Sequence, residues 1–382
     1  MRLAKLSFWT SAGLLAYCLA GYPLLLAALV RLRTRPARAS APSAGSHPLP
    51  RVALIAAAHD EQAVIGRWVA SALALDYPRG LLRVAVASDG STDATVRIAR
   101  EAGADLVLEL GRAGKVAALN ETVARLGDVD VLAFADANSS WDRDALRHLI
   151  ARFEDPAVGY VCGRLSYSSP SGDNQEDLYW RYEMAVRELE SKLAGVTAGN
   201  GAINAVRREA YLFLGPDRGQ DISLPFELTK RGWLAVYEPA AEAIEPMAAT
   251  IDAELGRKRR MMTGSWRTLL ATGMLSPRGY SPLYWIEILS HRLLRYAAPI
   301  LHLTSFAASL RLLGGSRIYA LAAGGQAALL AAAALATRLD LKALSIARYY
   351  VAVTAASGLG LWDYLRRGTP ATWEQAAGTR RP

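Results

Sequence analysis

Cysteine and histidine are scarce in this 382-residue chain, with two and five copies respectively. Cys18 falls in a charge-free run and Cys162 in an apolar stretch that reads as a buried strand. No disulfide, no cysteine metal cluster and no cysteine nucleophile is therefore expected. No two histidines stand at ligand spacing, and only His59 occupies a suggestive place. Charge is missing from whole stretches as well. Residues Phe8 to Val30 contain no Asp, Glu, Lys or Arg, a run long enough to cross a bilayer. The apolar core is longer than that of a signal peptide. Arg31, Arg33, Arg35 and Arg38 follow it in place of a small-residue cleavage site, so a retained transmembrane helix is expected.

Ile318 to Thr337 is a second charge-free span, rich in Ala and Leu. Weaker candidates flank it at Leu293–Leu310 and Ile346–Trp362, each with an arginine near one end that can snorkel to an interface. The stretch Ser281–Arg292 mixes Trp285, Ile286, Ile288 and Leu289 with Glu287, His291 and Arg292, a pattern expected of a helix lying along the membrane surface. A net charge of +9 is compatible with nucleic acid as a partner, but the excess cations sit beside the apolar spans. That placement orients a multi-pass protein of the cell (inner) membrane with its polar centre in the cytoplasm and makes nucleic acid an unneeded partner. Three C-terminal crossings would put the basic tail outside, against the same rule, so two to three spans remain open. The expected organisation is a transmembrane helix (1–35), a linker rich in Ala, Ser and Pro (36–50), a catalytic α/β domain (51–275), an interfacial helix (276–292), a membrane region (293–367) and a basic tail (368–382).

Within the polar centre, short apolar runs alternate with helical patterns. Strands are expected at 52–57, 83–88, 105–110 and 129–135, each followed by a helix, and a late strand at 234–239. Four β-α units with continuous apolar strands imply a mostly parallel, Rossmann-like sheet covered on both faces. Ligands of such sheets bind at the carboxyl ends of the strands. The residues there are His59-Asp60-Glu61, Ser88-Asp89-Gly90-Ser91, Gly111-Arg112 and Asp136-Ala137-Asn138, three of them acidic groups on one rim. Later in the chain, Asp221 opens a helical pattern and Arg257–Arg260 form a basic cluster. Acids on a strand rim, a partial DxD, a lone later aspartate and a basic cluster are the parts that transfer from a nucleotide-diphosphate sugar requires. Hard oxygen ligands hold a divalent cation against the diphosphate, a carboxylate takes the acceptor proton, and cations stabilise the leaving group.

The blocks AAAHDE (56–61), ASDGSTDAT (87–95), GKVAALN (114–120), FADAN (134–138), GNGAINAVRRE (199–209), QDISLP (220–225) and RKRRMMTG (257–264) occur in one order. Together they resemble the inverting, membrane-embedded family-two glycosyltransferases with a GT-A fold, the branch that includes cellulose, chitin and hyaluronan synthases. The resemblance covers about residues 50–270 and implies a GT-A domain flanked by transmembrane helices, a nucleotide-diphosphate-sugar donor with a UDP-sugar expected first, Mg²⁺ or Mn²⁺, and a lipid-linked or envelope glycan acceptor at a membrane. It implies Asp221 as the general base. Ala58, Asp60, Glu61, Asp89, Lys115, Asp136, Arg257 and Arg260 would bind the nucleotide sugar, with Asp89 at the base and Lys115 near the diphosphate. Gly199, Asn200 and Gly201 would lie on the acceptor side, and Asp136 with Asn138 would hold the metal.

The chain departs from the pattern at four places. Asp60 replaces an Asn, Gln220 replaces the acid before the base, Asn138 replaces the second acid of DxD, and Met261 stands where processive synthases place a Trp. Met261 and the modest C-terminal region favour a transferase adding one or few sugars over a processive synthase. A catalytically inactive scaffold is the other alternative, opposed by Asp221 and favoured by Asn138. A nucleotidyltransferase would need a glycine-rich basic loop after the first strand, which AAAHDEQ lacks.

Overall fold

Val52–Ala58 (β1) is buried at every residue, and its side chains divide by twos between two cores. Val52, Leu54, Ala56 and Ala58 face one side, with Trp68, Val69, Leu146 and Ile150. Ala53, Ile55 and Ala57 face the other, with Val116, Leu119, Val123, Leu224 and Leu228. Alternation of that kind inside a wholly apolar strand is the mark of a sheet covered by helices on both faces. The computed structural model describes residues 1–32, 48–168, 175–246, 251–339 and 341–369; most of the expected linker and of the basic tail lies outside them.

The remaining strands are Leu82–Asp89 (β2), Leu106–Leu110 (β3), Val131–Asp136 (β4), Ser140–Trp141 (β5), Val158–Ser168 (β6), Asn204–Arg207 (β7) and Leu234–Pro246 (β8). They form one sheet in the order β3-β2-β1-β4-β7-β6-β8-β5. The first four units are parallel, as expected. β7 then runs antiparallel to both β4 and β6, while β8 is parallel to β6. Two reversals restore the original direction, so the carboxyl ends of β6 and β8 emerge on the same rim as that of β4. The segment entering β7 starts on that rim too. β8 also runs further than its expected end at 239. Its register with β6 jumps at Gly163/Arg164, where Glu238 and Glu242 become successive partners and Pro239–Ala241 bulge out.

Among the described residues two helices are long and apolar enough to cross a membrane, Arg2–Leu32 and Arg317–Leu335. The other two expected C-terminal spans do not meet that standard. Ala298–Arg311 has 14 residues, about 21 Å of helix against a hydrocarbon core of roughly 30 Å. Lys342–Arg367 is long enough but not apolar enough, and its Asp363 carboxylate accepts from Arg259 Nη2 at 2.7 Å. The expected surface helix also differs. Pro282–Glu287 continues through a π-turn, Ile288–Leu293, and buries Tyr284, Glu287, Ile288, His291 and Arg292 inside the protein. His291 and Arg292 are partnered there, which is why an amphipathic pattern alone misplaced them. A second π-turn, Tyr17–Gly21, interrupts the N-terminal helix opposite the first, with Tyr17 Oη 2.8 Å from Ser290 Oγ.

Candidate active site

The rim is built by turns that immobilise their own acids. Asp60 takes a left-handed backbone with φ 53°, a region Asn and Asp tolerate better than other side chains. Its carboxylate accepts from Thr92 N at 2.7 Å, and its own N–H donates to Ser91 Oγ at 3.1 Å. These bonds hold the carboxyl below its ordinary range, with the Thr92 amide as the main cause. An Asn would suit the same turn, so Asp60 is a change the backbone accepts. Glu61 is buried, and its N–H donates to Thr95 Oγ1 at 2.7 Å; Ala58 is buried and offers backbone only. Asp89, at the end of β2, is wholly buried. Its carboxylate accepts from Ala113 N at 2.7 Å, Gly114 N at 3.0 Å and Arg112 Nη1 at 3.1 Å. Here Asp89 organises the loop that precedes the helix Lys115–Arg125.

Lys115, the first residue of that helix, pairs with Asp136 at the end of β4. Asp221, in the first turn of the helix Gln220–Lys230, and Glu245, near the end of β8, complete a group of three carboxylates that act on this one ammonium. Their charges are not balanced. Burial raises the Asp221 carboxyl, Lys115 opposes the rise and Asp136 adds to it. Glu245 is pushed up to about 8, first by burial and then by Asp136, with Arg257 and Lys115 pulling the other way. The ammonium of Lys115 is held above its ordinary value: burial acts against it, and the attraction of Asp136, Asp221 and Glu245 wins. Three carboxylates crowd two cations, and the crowding is relieved by Glu245 holding a proton near neutral pH, a proton that a divalent cation would displace.

The loop 196–203 closes the site from the side of β7. Gly199 N donates to the Asp221 carbonyl at 2.8 Å, and a Cβ at residue 199 would collide with the buried Tyr160 hydroxyl. At Gly201 a Cβ would stand 3.2 Å from Asp136 Oδ2 and 3.3 Å from Lys115 Nζ, so the backbone lies directly against that ion pair. Asn200 braces the loop, donating to Gly163 O at 2.8 Å and accepting from Ile203 N at 2.9 Å. Asn138 is half-buried just beyond Asp136.

Of the four cations in 257–260, only Arg257 turns toward the acids, with its guanidinium 5.9 Å from the Tyr167 ring. Lys258 lies over Tyr349 and Arg259 pairs with Asp363, both on the helix Lys342–Arg367. Arg260 is exposed. Glu245 was absent from the sequence-based candidates. Its signal was the direction of β8, hidden by the bulge at Pro239.

Among the described residues no three His, Cys, Asp or Glu side chains converge as a preformed metal cage. Asp136 and Glu245, with the amide oxygen of Asn138, fit a cation only if a ligand contributes further oxygens. A diphosphate has them to give.

The family model described as glycosyltransferase like family 2 matches residues 50–264. A β-monoglucosyldiacylglycerol synthase from Synechocystis sp. is 30% identical over 244 residues, 59% of this chain and 50% of that protein. An N-acetylglucosaminyltransferase from Rhizobium meliloti is 30% identical over 264 residues, 62% of this chain and 60% of that protein. The chain therefore spans half to three-fifths of the length of these curated relatives. Among solved structures, a mannosyltransferase from Pyrobaculum calidifontis, in complex with GDP-Man and Mn²⁺, superposes with a TM-score of 0.70 at 22% identity. The superposition covers 94% of this chain and 99% of that one, and it shows a shared GT-A-like fold. With residues 50–264 of 382 inside its model, the chain belongs to the family described as glycosyltransferase like family 2.

Proposed function

We propose that the protein transfers a sugar, with inversion, from a nucleotide-diphosphate sugar to a hydroxyl of a lipid-linked or envelope glycan acceptor at a membrane. The observation that carries this reading is the Lys115–Asp136 ion pair at the carboxyl rim of the sheet, with Asp221 and Glu245 close enough to act on the same ammonium. Asp221 is the general base. Its raised proton affinity suits a group that must accept a proton from a hydroxyl while remaining ionised enough to act. The acceptor oxygen forms its bond to the anomeric carbon as the bond to the diphosphate oxygen breaks, and the hydroxyl proton passes to Asp221.

Asp136, Asn138 and Glu245 would hold Mg²⁺ or Mn²⁺, which supplies positive charge to the departing diphosphate. Lys115 and Arg257 add fixed positive charge beside it. Asp60, Glu61 and Asp89 shape the nucleotide end of the pocket through the loops they pin, and Gly199–Gly201 face the acceptor side. Membrane attachment through Arg2–Leu32 and Arg317–Leu335, with the catalytic domain on the cytoplasmic side, places the site near a lipid-linked acceptor. The names of the curated relatives support transfer of a glucosyl group to a diacylglycerol lipid, or of an N-acetylglucosaminyl group.

The test is consumption of a panel of UDP- and GDP-sugars by membranes containing the protein, with Mg²⁺, with Mn²⁺ and with neither. Metal-dependent release of the nucleoside diphosphate from one donor is expected. No consumption of any donor under any condition refutes the reading.

A further inference from the structure

Outside the acid cluster, a buried polar assembly among the described residues joins the apolar N-terminal helix to the catalytic domain. Tyr22 Oη donates to Glu190 Oε1 at 2.6 Å. The His291 ring lies between two carboxylates, with Nδ1 2.8 Å from Glu190 Oε1 and Nε2 3.1 Å from Glu183 Oε2. Arg295 pairs with the far side of Glu183. Glu190 reaches onward as well: Thr197 Oγ1 donates to its Oε2 at 3.3 Å and accepts from Arg292 Nε at 2.8 Å. Tyr22, Glu183, Glu190, Thr197, His291 and Arg292 are all less than a tenth exposed. Burial by itself would raise both glutamates, but Arg295, His291 and Arg292 outweigh it and keep them ionised.

A buried chain of charged hydrogen bonds is stiff, because each member left without its partner would pay a full desolvation cost. Thr197 is where this chain meets the site. Its segment is further fixed by Tyr284 Oη, which donates to Val196 O at 2.9 Å, and by Arg187 Nη2, which donates to Gly199 O at 3.2 Å. Two residues beyond Thr197, Gly199 N donates to the Asp221 carbonyl, so the position of the loop sets the first turn of the helix that carries Asp221.

We propose that Glu190, Thr197, His291 and Arg292 are positioning residues for Asp221, and that Tyr22 makes this positioning depend on how the N-terminal helix is seated. The proposal rests on reading Asp221 as the base. Unseating the helix at Tyr22 loosens Glu190, then Thr197, then the loop beneath Asp221, while the nucleotide end of the pocket, built on β1, β2 and β4, stays intact.

The experiment uses the full chain in membranes or detergent, with Tyr22→Phe, Thr197→Val, Thr197→Ser and the Tyr22→Phe/Thr197→Val pair. It reads kcat, donor KM, Tm and amide hydrogen exchange over 196–222. Thr197→Val lowers kcat by about 10- to 100-fold at unchanged donor KM, as misplacement of the base by an ångström would, and Thr197→Ser restores most of it. Tyr22→Phe gives a smaller loss, speeds exchange over 196–222 and leaves exchange in β1 unchanged. The paired variant loses less than the product of the two separate losses. The proposal is overturned if Tyr22→Phe leaves exchange over 196–222 unchanged, if Thr197→Val keeps wild-type kcat, or if kcat falls only in step with the amount of folded protein. A wild type that transfers no sugar, combined with faster exchange in Tyr22→Phe, refutes the proposed function and leaves the coupling standing.

Discussion

Replacing Asp221 by Asn separates catalysis from stability because the two effects differ greatly in size. The side chain sits in the first turn of the helix Gln220–Lys230, where a negative charge gains about 0.3–1 kcal/mol from the helix dipole. Burial and Asp136 work against that charge, so the net loss on neutralising it is small. Asn has the same shape and leaves the bond between Gly199 N and the residue-221 carbonyl in place. A domain of this size shifts its Tm by about 2–4 °C per kcal/mol, so Tm should move by no more than about 3 °C. A general base supplies about 10²- to 10⁴-fold in rate, which is roughly 3–5 kcal/mol of barrier. Release of nucleoside diphosphate and appearance of glycosylated acceptor should therefore fall by at least two orders of magnitude, with donor binding retained. Asp217→Asn, which removes the partner of Arg267 in the same segment, is the control and should keep wild-type turnover. If Asp221→Asn turns over within about fivefold of wild type, the role assigned to Asp221 is wrong, since no base effect is that small.

Asn138→Asp adds a charged oxygen beside Asp136 and should lower the Mg²⁺ or Mn²⁺ concentration needed for half-maximal activity; an unchanged metal requirement would remove Asn138 from the ligands. Asp89→Ala leaves Arg112 and the amides of Ala113 and Gly114 without their buried acceptor. Thermal unfolding should show a loss of about 2–4 kcal/mol, and a wild-type Tm would contradict the role described for that carboxylate. Glu245 gives a pH signature. Its carboxyl rises from 4.5 to about 8 in the fold, so the folded state binds more protons than the unfolded one between those values. The metal-free protein should then be most stable below that window and lose stability as pH climbs through it. Glu245→Gln should flatten the Tm–pH slope, and a slope equal to wild type would mean Glu245 is not the group responsible.

The four parallel strands were legible because each is an unbroken apolar run ending in a polar cluster, and a doubly covered sheet puts ligand groups at those ends. The same rule located Asp60, Asp89 and Asp136 before any coordinates. It failed at Glu245, since Pro239 reads as a strand end while the chain bulges, shifts register and continues to pair with β6. Arg257 and Arg260 could not be told apart from sequence, because only the packing of the helix Lys342–Arg367 decides which face of the basic cluster is occupied. His291 and Arg292 looked like water-facing groups of a surface helix. Their partners, Glu183, Glu190 and Thr197, lie about a hundred residues earlier in the chain, and no local pattern reports a partner at that distance.

The π-turn at Tyr17–Gly21 makes the N-terminal helix a two-ended gauge. On one side of it Phe8 packs edge-on against Tyr319 at 4.9 Å, and on the other Tyr22 reaches Glu190. A π-turn holds one residue more than the α-helical turn it replaces, and each helical residue advances the face by about 100°. Straightening the turn into α-helix at unchanged length would rotate these two anchors out of mutual phase by about 100°, whereas deleting one residue within 17–21 would keep their phase. The irregular turn is thus a register mark: a regular helix of the same length could satisfy Tyr319 or Glu190, but not both.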